Sequence, residues 1–108
     1  MPLEPLPFPM VNGYFLQEHN FAMSACDFKL TESTRAVFYC ERGLLQFYFV
    51  DRDKDVGKRF LYTLEEAAEL GERIVTTGAW EDFPVSGIST SDLRSFGQRL
   101  WDYGISGC

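Results

Sequence analysis

Apolar residues are densest at Leu44-Leu45-Gln46-Phe47-Tyr48-Phe49-Val50, and the pattern reads outward from there. The run is rich in aromatic and branched side chains, which suit a pleated, packed surface. It is too short for a typical helix, and turn residues bound it on both sides. Both alternating sets are apolar: Leu45, Phe47 and Phe49 point one way, Leu44, Tyr48 and Val50 the other. A central strand covered on both faces accounts for that, with two helices, an N-terminal arm or a second copy of the chain as the cover. A charged turn, Asp51 to Gly57, returns the chain as Lys58-Arg59-Phe60-Leu61-Tyr62, the second arm of a hairpin.

A helix follows. Thr63 with Glu66 three residues on is a capping-box pattern, in which each side chain satisfies a backbone N–H that the first turn would leave orphaned. Glu65 and Glu66 lie at the positive end of the helix dipole. Leu64, Ala67, Ala68, Gly71, Ile74 and Val75 recur at three- and four-residue spacing and form one apolar stripe. Gly78 is a natural stop, so residues 63–78 are predicted helical.

Upstream, prolines at 2, 5, 7 and 9 make residues 1–10 an extended arm, with Leu3, Leu6 and Phe8 packing on the same domain. Val11 to Gln17, Phe21 to Leu30 and Arg35 to Glu41 read as strands, with Thr31 to Thr34 and Arg42-Gly43 as turns. Short connections make neighbouring strands antiparallel. After Gly78, residues 79–88 form a linker with anchoring aromatics. A second helix over 89–104 carries the stripe Leu93, Phe96, Gly97, Leu100 and Trp101 and stops at Gly104. The prediction is a single α+β domain over 1–108. It holds an antiparallel β-meander of four to five strands (11–62), followed by two α-helices packed on the sheet.

The formal net charge is −6, unevenly spread: residues 1–63 carry eight acids and seven bases, residues 64–108 eight acids and three bases. An acidic surface repels phosphate backbones and anionic lipid heads, which argues against nucleic-acid and membrane partners and suits a basic protein partner. Three cysteines, at 26, 40 and 108, with no C-x-x-C and no signal-peptide pattern, point to a reducing, cytoplasmic setting. Cys26 and Cys40 fall opposite or nearly opposite if the turn centres on Ser33, and read as buried small hydrophobes before a redox pair. No apolar run approaches the roughly 20 residues a membrane helix needs.

Candidate chemistry is sparse. Asp51, Asp53 and Asp55 open like a calcium loop, but Val56 stands where the sharp turn needs glycine and Tyr62 where a bidentate carboxylate is needed. The glycines spell no phosphate loop, and His19 as sole base supports no Ser–His–acid set. Glu65, Glu69 and Glu72 lie at i, i+4 and i+7, opposite the apolar stripe, as a solvated face. No cofactor or metal is expected. The chain reads as a non-enzymatic, acidic protein-interaction module, self-associating as a dimer. Trp80, Trp101 and Tyr103 are the contact aromatics, and Glu65, Glu69 and Glu72 the charged rim. A narrower version is a small inhibitor, of the kind phages use against host defence, that occupies the basic groove of a nucleic-acid-processing protein. The alternative is a single-stranded nucleic-acid binder using Phe47, Tyr48, Arg52, Lys54, Lys58 and Arg59. An enzyme with a carboxylate or cysteine site comes last.

Overall fold

The computed structural model describes residues 26–107. The predicted arm, the Val11 strand, His19 and the start of the Phe21 strand lie outside the described residues. Four strands, β1 (Cys26–Lys29), β2 (Thr34–Glu41), β3 (Leu44–Asp51) and β4 (Lys54–Thr63), form one sheet in the order β1-β2-β3-β4. All three pairings are antiparallel, so the sheet is a meander. Two helices follow, α1 (Leu64–Thr77) and α2 (Thr90–Ser106). This is the α+β architecture that the periodicity predicts.

Turn chemistry sets the register. Arg42 and Gly43 both take positive φ (56° and 79°), as do Arg52 and Asp53 (55° and 66°). Paired positive φ is the mark of the type I′ turn, whose twist matches that of the flanking strands. The β3–β4 turn is therefore tighter than the predicted Asp51 to Gly57, and β4 begins at Lys54. The extra residues are absorbed within the strand as an irregularity opposite Phe49, between the Tyr48–Arg59 and Val50–Asp55 pairs. Gly57, at φ 93°, supplies the backbone freedom that such a bulge needs. Thr34, buried at the sheet's end, donates its hydroxyl to Asp51 at 2.5 Å and ties β2 to β3.

One sheet face is the core. Ala36 and Phe38 of β2, Leu45, Phe47 and Phe49 of β3, and Phe60 of β4 are buried there against Ala67, Leu70 and Ile74 of α1 and Leu93, Phe96 and Leu100 of α2. Phe47 is the hub: its ring lies within 6.2 Å of those of Phe38, Phe49, Phe60, Tyr62, Trp80 and Phe96. Such aromatic pairs add about 0.5–1.5 kcal/mol each beyond the area they bury.

The helix starts are as the sequence predicts. Thr63 and Glu66 close a reciprocal capping box, Thr63 N–H to Glu66 Oε1 at 3.0 Å and Glu66 N–H to Thr63 Oγ1 at 3.1 Å. Ser89 caps α2 through Asp92 N–H. Gly78 stops α1 in the left-handed region. The predicted stop at Gly104 is not one: α2 runs through it to Ser106 and is capped at Gly107. Gly104 has a packing role instead. A Cβ there would run into the backbone of Ala68, and one at Gly71 would lie 2.7 Å from Gly97 O. The helices are thus antiparallel and touch backbone to backbone along Ala68, Gly71, Gly97 and Gly104. Leu70, which the predicted stripe omits, is buried, whereas Val75 is only half-buried.

Cys26 pairs with Phe38, so Cys40 sits two residues further along the same face rather than opposite Cys26. Cys26 carries a thiol, and both Cys26 and Cys40 are half-buried rather than the buried small hydrophobes expected. No helix among the described residues is long and apolar enough to cross a membrane.

The helix seam yields a stability prediction. Alanine is the better helix former by about 1 kcal/mol, yet Gly71→Ala and Gly104→Ala should each destabilise by about 1–3 kcal/mol, because each methyl must push two backbones apart. Thermal or urea unfolding measures this, and an unchanged or raised Tm would show that the helices have room to separate.

Candidate protein-interaction surface

Packing decides which side of α1 meets water. Ala67, Leu70, Gly71 and Ile74 face inward, so Glu65, Glu66, Glu69 and Glu72 are all exposed. Two more acids, Glu81 and Asp82, follow on the exposed loop after Gly78. Residues 64–82 carry six acids and one base, Arg73, while residues 83–108 carry two acids and two bases. The net negative charge of the helical half therefore lies on α1 and the loop behind it.

Beside this strip is a cleft of about 400 Å³, lined by Leu61 and Tyr62 of β4, Glu66, Glu69, Leu70 and Arg73 of α1, and Trp80 and Asp82 of the loop. The phenol of Tyr62 is held above its ordinary pKa, chiefly by burial and then by the carboxylates of Asp82 and Glu66, with Arg73 opposing. Burial and negative potential thus coincide at this spot.

The three candidate aromatics do not share a surface. Trp80 packs into the core, its ring 5.0 Å from that of Phe60 and nearly parallel to that of Phe96 at 5.9 Å. One side of Trp80 nevertheless lines the cleft with Glu69. Tyr103 stands edge-on to Phe38 at 4.9 Å, over the β1–β2 side of the sheet. Arg99 lies over both Tyr103 and Phe28. Trp101 is partly exposed on α2, its backbone against Gly71. Of the candidates, Trp80, Glu65, Glu69 and Glu72 cluster about α1, while Trp101 and Tyr103 belong to α2.

The residues of the nucleic-acid reading are also divided. Phe47 is 0% exposed beneath the helices. Tyr48 is on the opposite face, stacked on Tyr39 at 6.2 Å, with the Arg59 guanidinium 4.1 Å from its ring centre. Arg59 holds Asp55 through two hydrogen bonds, 2.7 and 3.0 Å. Lys58 lies over Phe60 on the core side, Lys54 pairs with Asp51, and Arg52 forms the turn. Only Tyr48 and Arg59 meet. The alternate carboxylates of the hairpin do not converge either. Asp51 faces Thr34 on the core side, and Asp55 is opposite Val50 on the other.

Tyr62, Arg73 and Asp82 have no local sequence signal as site residues. They meet only because the end of β4, the side of α1 and the loop after Gly78 converge. The chain matches no family model, no curated protein and no solved structure.

Two pH dependences follow. The Arg59 guanidinium, with Gly57 N–H, holds the Asp55 carboxyl below its ordinary range against an opposing burial effect. A lowered folded pKa stabilises fully above the unfolded value, near 4, and the contribution is lost as pH falls through the folded one. Asp55→Asn should therefore flatten the acid limb of a stability profile. Tyr62 has the opposite sign: its raised pKa stabilises below about pH 10 and is lost as pH climbs through the folded value. Tyr62→Phe should flatten the alkaline limb. Profiles unchanged by these substitutions would contradict the assignments.

Proposed function

We propose that this protein is a non-enzymatic binding module whose acidic strip, α1 with the following loop, docks on a basic surface of another protein. The observation that carries the reading is the concentration of charge: six acids against one base over residues 64–82, with all four α1 glutamates exposed on a helix locked by its inner face. Such a surface steers a basic partner into encounter and rejects acidic ones. A narrower form is a small inhibitor lying in the basic groove of a nucleic-acid-processing protein, where carboxylates on a rigid helix replace phosphates. Self-association belongs to the same reading. Leu44 and Leu61, 39% and 49% exposed, are apolar side chains that a second copy would cover, and light scattering reads whether one chain or two travel together.

The triple variant Glu65→Gln, Glu69→Gln, Glu72→Gln separates charge from fold. All three side chains are exposed, so stability should stay within about 0.5 kcal/mol per site. Affinity capture should retain basic proteins on the parent chain at low salt and lose them with the variant or at high salt. Capture indifferent to both the variant and the salt would remove the reading.

A further inference from the structure

The flat outer face of α1 supplies long-range attraction and little more, because an ion pair between exposed side chains is screened by water. The cleft differs. Leu70 is buried, Trp80 and Tyr62 are half-buried, and Glu69, Arg73 and Asp82 are exposed around them. The site is therefore an open cleft, more polar than apolar along its walls, with the half-buried rings of Trp80 and Tyr62 behind exposed charges. Its volume is about 400 Å³ and it is open to solvent, which suits one side chain of a partner better than an enclosed small molecule. Three carboxylates, Glu66, Glu69 and Asp82, face one base, Arg73. One oxygen of Glu66 already accepts the Thr63 N–H, which makes Glu66 less available than Glu69 and Asp82 to a partner.

A long apolar stem ending in a planar cation fits that layout. Arginine places methylenes against apolar walls while its guanidinium meets carboxylates in paired, charge-assisted hydrogen bonds and lies against aromatic faces. Lysine has a comparable stem, but its compact, strongly hydrated ammonium lacks the planar fork. We propose that the cleft receives an arginine side chain of the basic protein partner, its guanidinium held by Asp82 and Glu69 and its stem against Trp80. This rests on the acidic-strip reading above and adds the residue type read and the place where it is read. Arg73 then sets the threshold, because its charge opposes entry of a second cation.

The test is an NMR titration of the full chain with a capped hexa-arginine peptide at low salt, with hexa-citrulline and hexa-lysine as comparisons. The Trp80 indole N–H should shift saturably with hexa-arginine and stay still with hexa-citrulline, while the Trp101 indole moves little. The Tyr62 phenol should titrate lower when the peptide is bound, and arginine keeps its charge at the alkaline pH this measurement needs. Asp82→Asn should weaken binding about tenfold, the scale of one lost charge-assisted contact, Glu69→Gln should act in the same direction, and Arg73→Gln should tighten binding. Hexa-lysine as strong as hexa-arginine, or affinity unchanged in both Asp82→Asn and Glu69→Gln, would overturn the arginine cleft. The acidic strip would still stand if Glu65→Gln and Glu72→Gln, both outside the cleft, weakened salt-sensitive binding. If those two also had no effect, the strip reading would fail with it.

Discussion

The architecture depends on two helices approaching until backbone meets backbone. Gly71 and Gly97 face each other across the seam, and Gly104 lies against Ala68. On α2, Phe96 and Gly97 are neighbours with different tasks. Phe96 enters the sheet-side aromatic cluster, within 6 Å of Phe38, Phe47 and Phe49, while Gly97 lies against Ile74 of α1. A side chain at the seam would move the helices apart and lift one of them off the sheet. Close packing of this kind makes the interior stiff, because a core at crystal-like density has no slack to absorb an extra methyl.

That constraint leads directly to the surface. With its inner face fixed by Ala67, Leu70, Gly71 and Ile74, and its first turn fixed by the Thr63–Glu66 box, α1 can point its remaining glutamates only toward water. Leu64 N–H also bonds Gly43 O, which ties the helix start to the β2–β3 turn. The acids are thus carried on a fixed helix backbone, and a scaffold ordered before binding loses less entropy than a mobile one. In the cleft, Glu66, Glu69 and Asp82 adjoin the half-buried rings of Trp80 and Tyr62.

Local signals carried most of the fold. Strand alternation set Leu45, Phe47 and Phe49 on one face of the central strand and Leu44, Tyr48 and Val50 on the other, and the Thr63–Glu66 pattern marked the first helix start. Two of the misreadings share one cause, that glycine has several uses. Gly57 resembled the end of a turn but accommodates an irregularity within β4, and Gly104 resembled a helix stop but is a contact within α2. Both uses depend on what lies across from the glycine, which no local window records. The candidate site was half legible. The glutamate row follows from helical spacing alone, whereas Tyr62, Arg73 and Asp82 are brought together by tertiary packing. Trp80 was noticed as an aromatic, but its place between core and cleft required the sheet, the helix and the loop together.

Native-state amide hydrogen exchange on the isolated chain tests the central claim, that the helix pair and the sheet form one locked body that presents the acidic face. Amides of β2 and β3 and of residues 67–74 and 96–100 should open only with global unfolding, at a common free energy. If the helices exchanged at a distinctly lower free energy than β2 and β3, the seam would not be holding α1 in place, and the orientation of its glutamates would lose its physical basis.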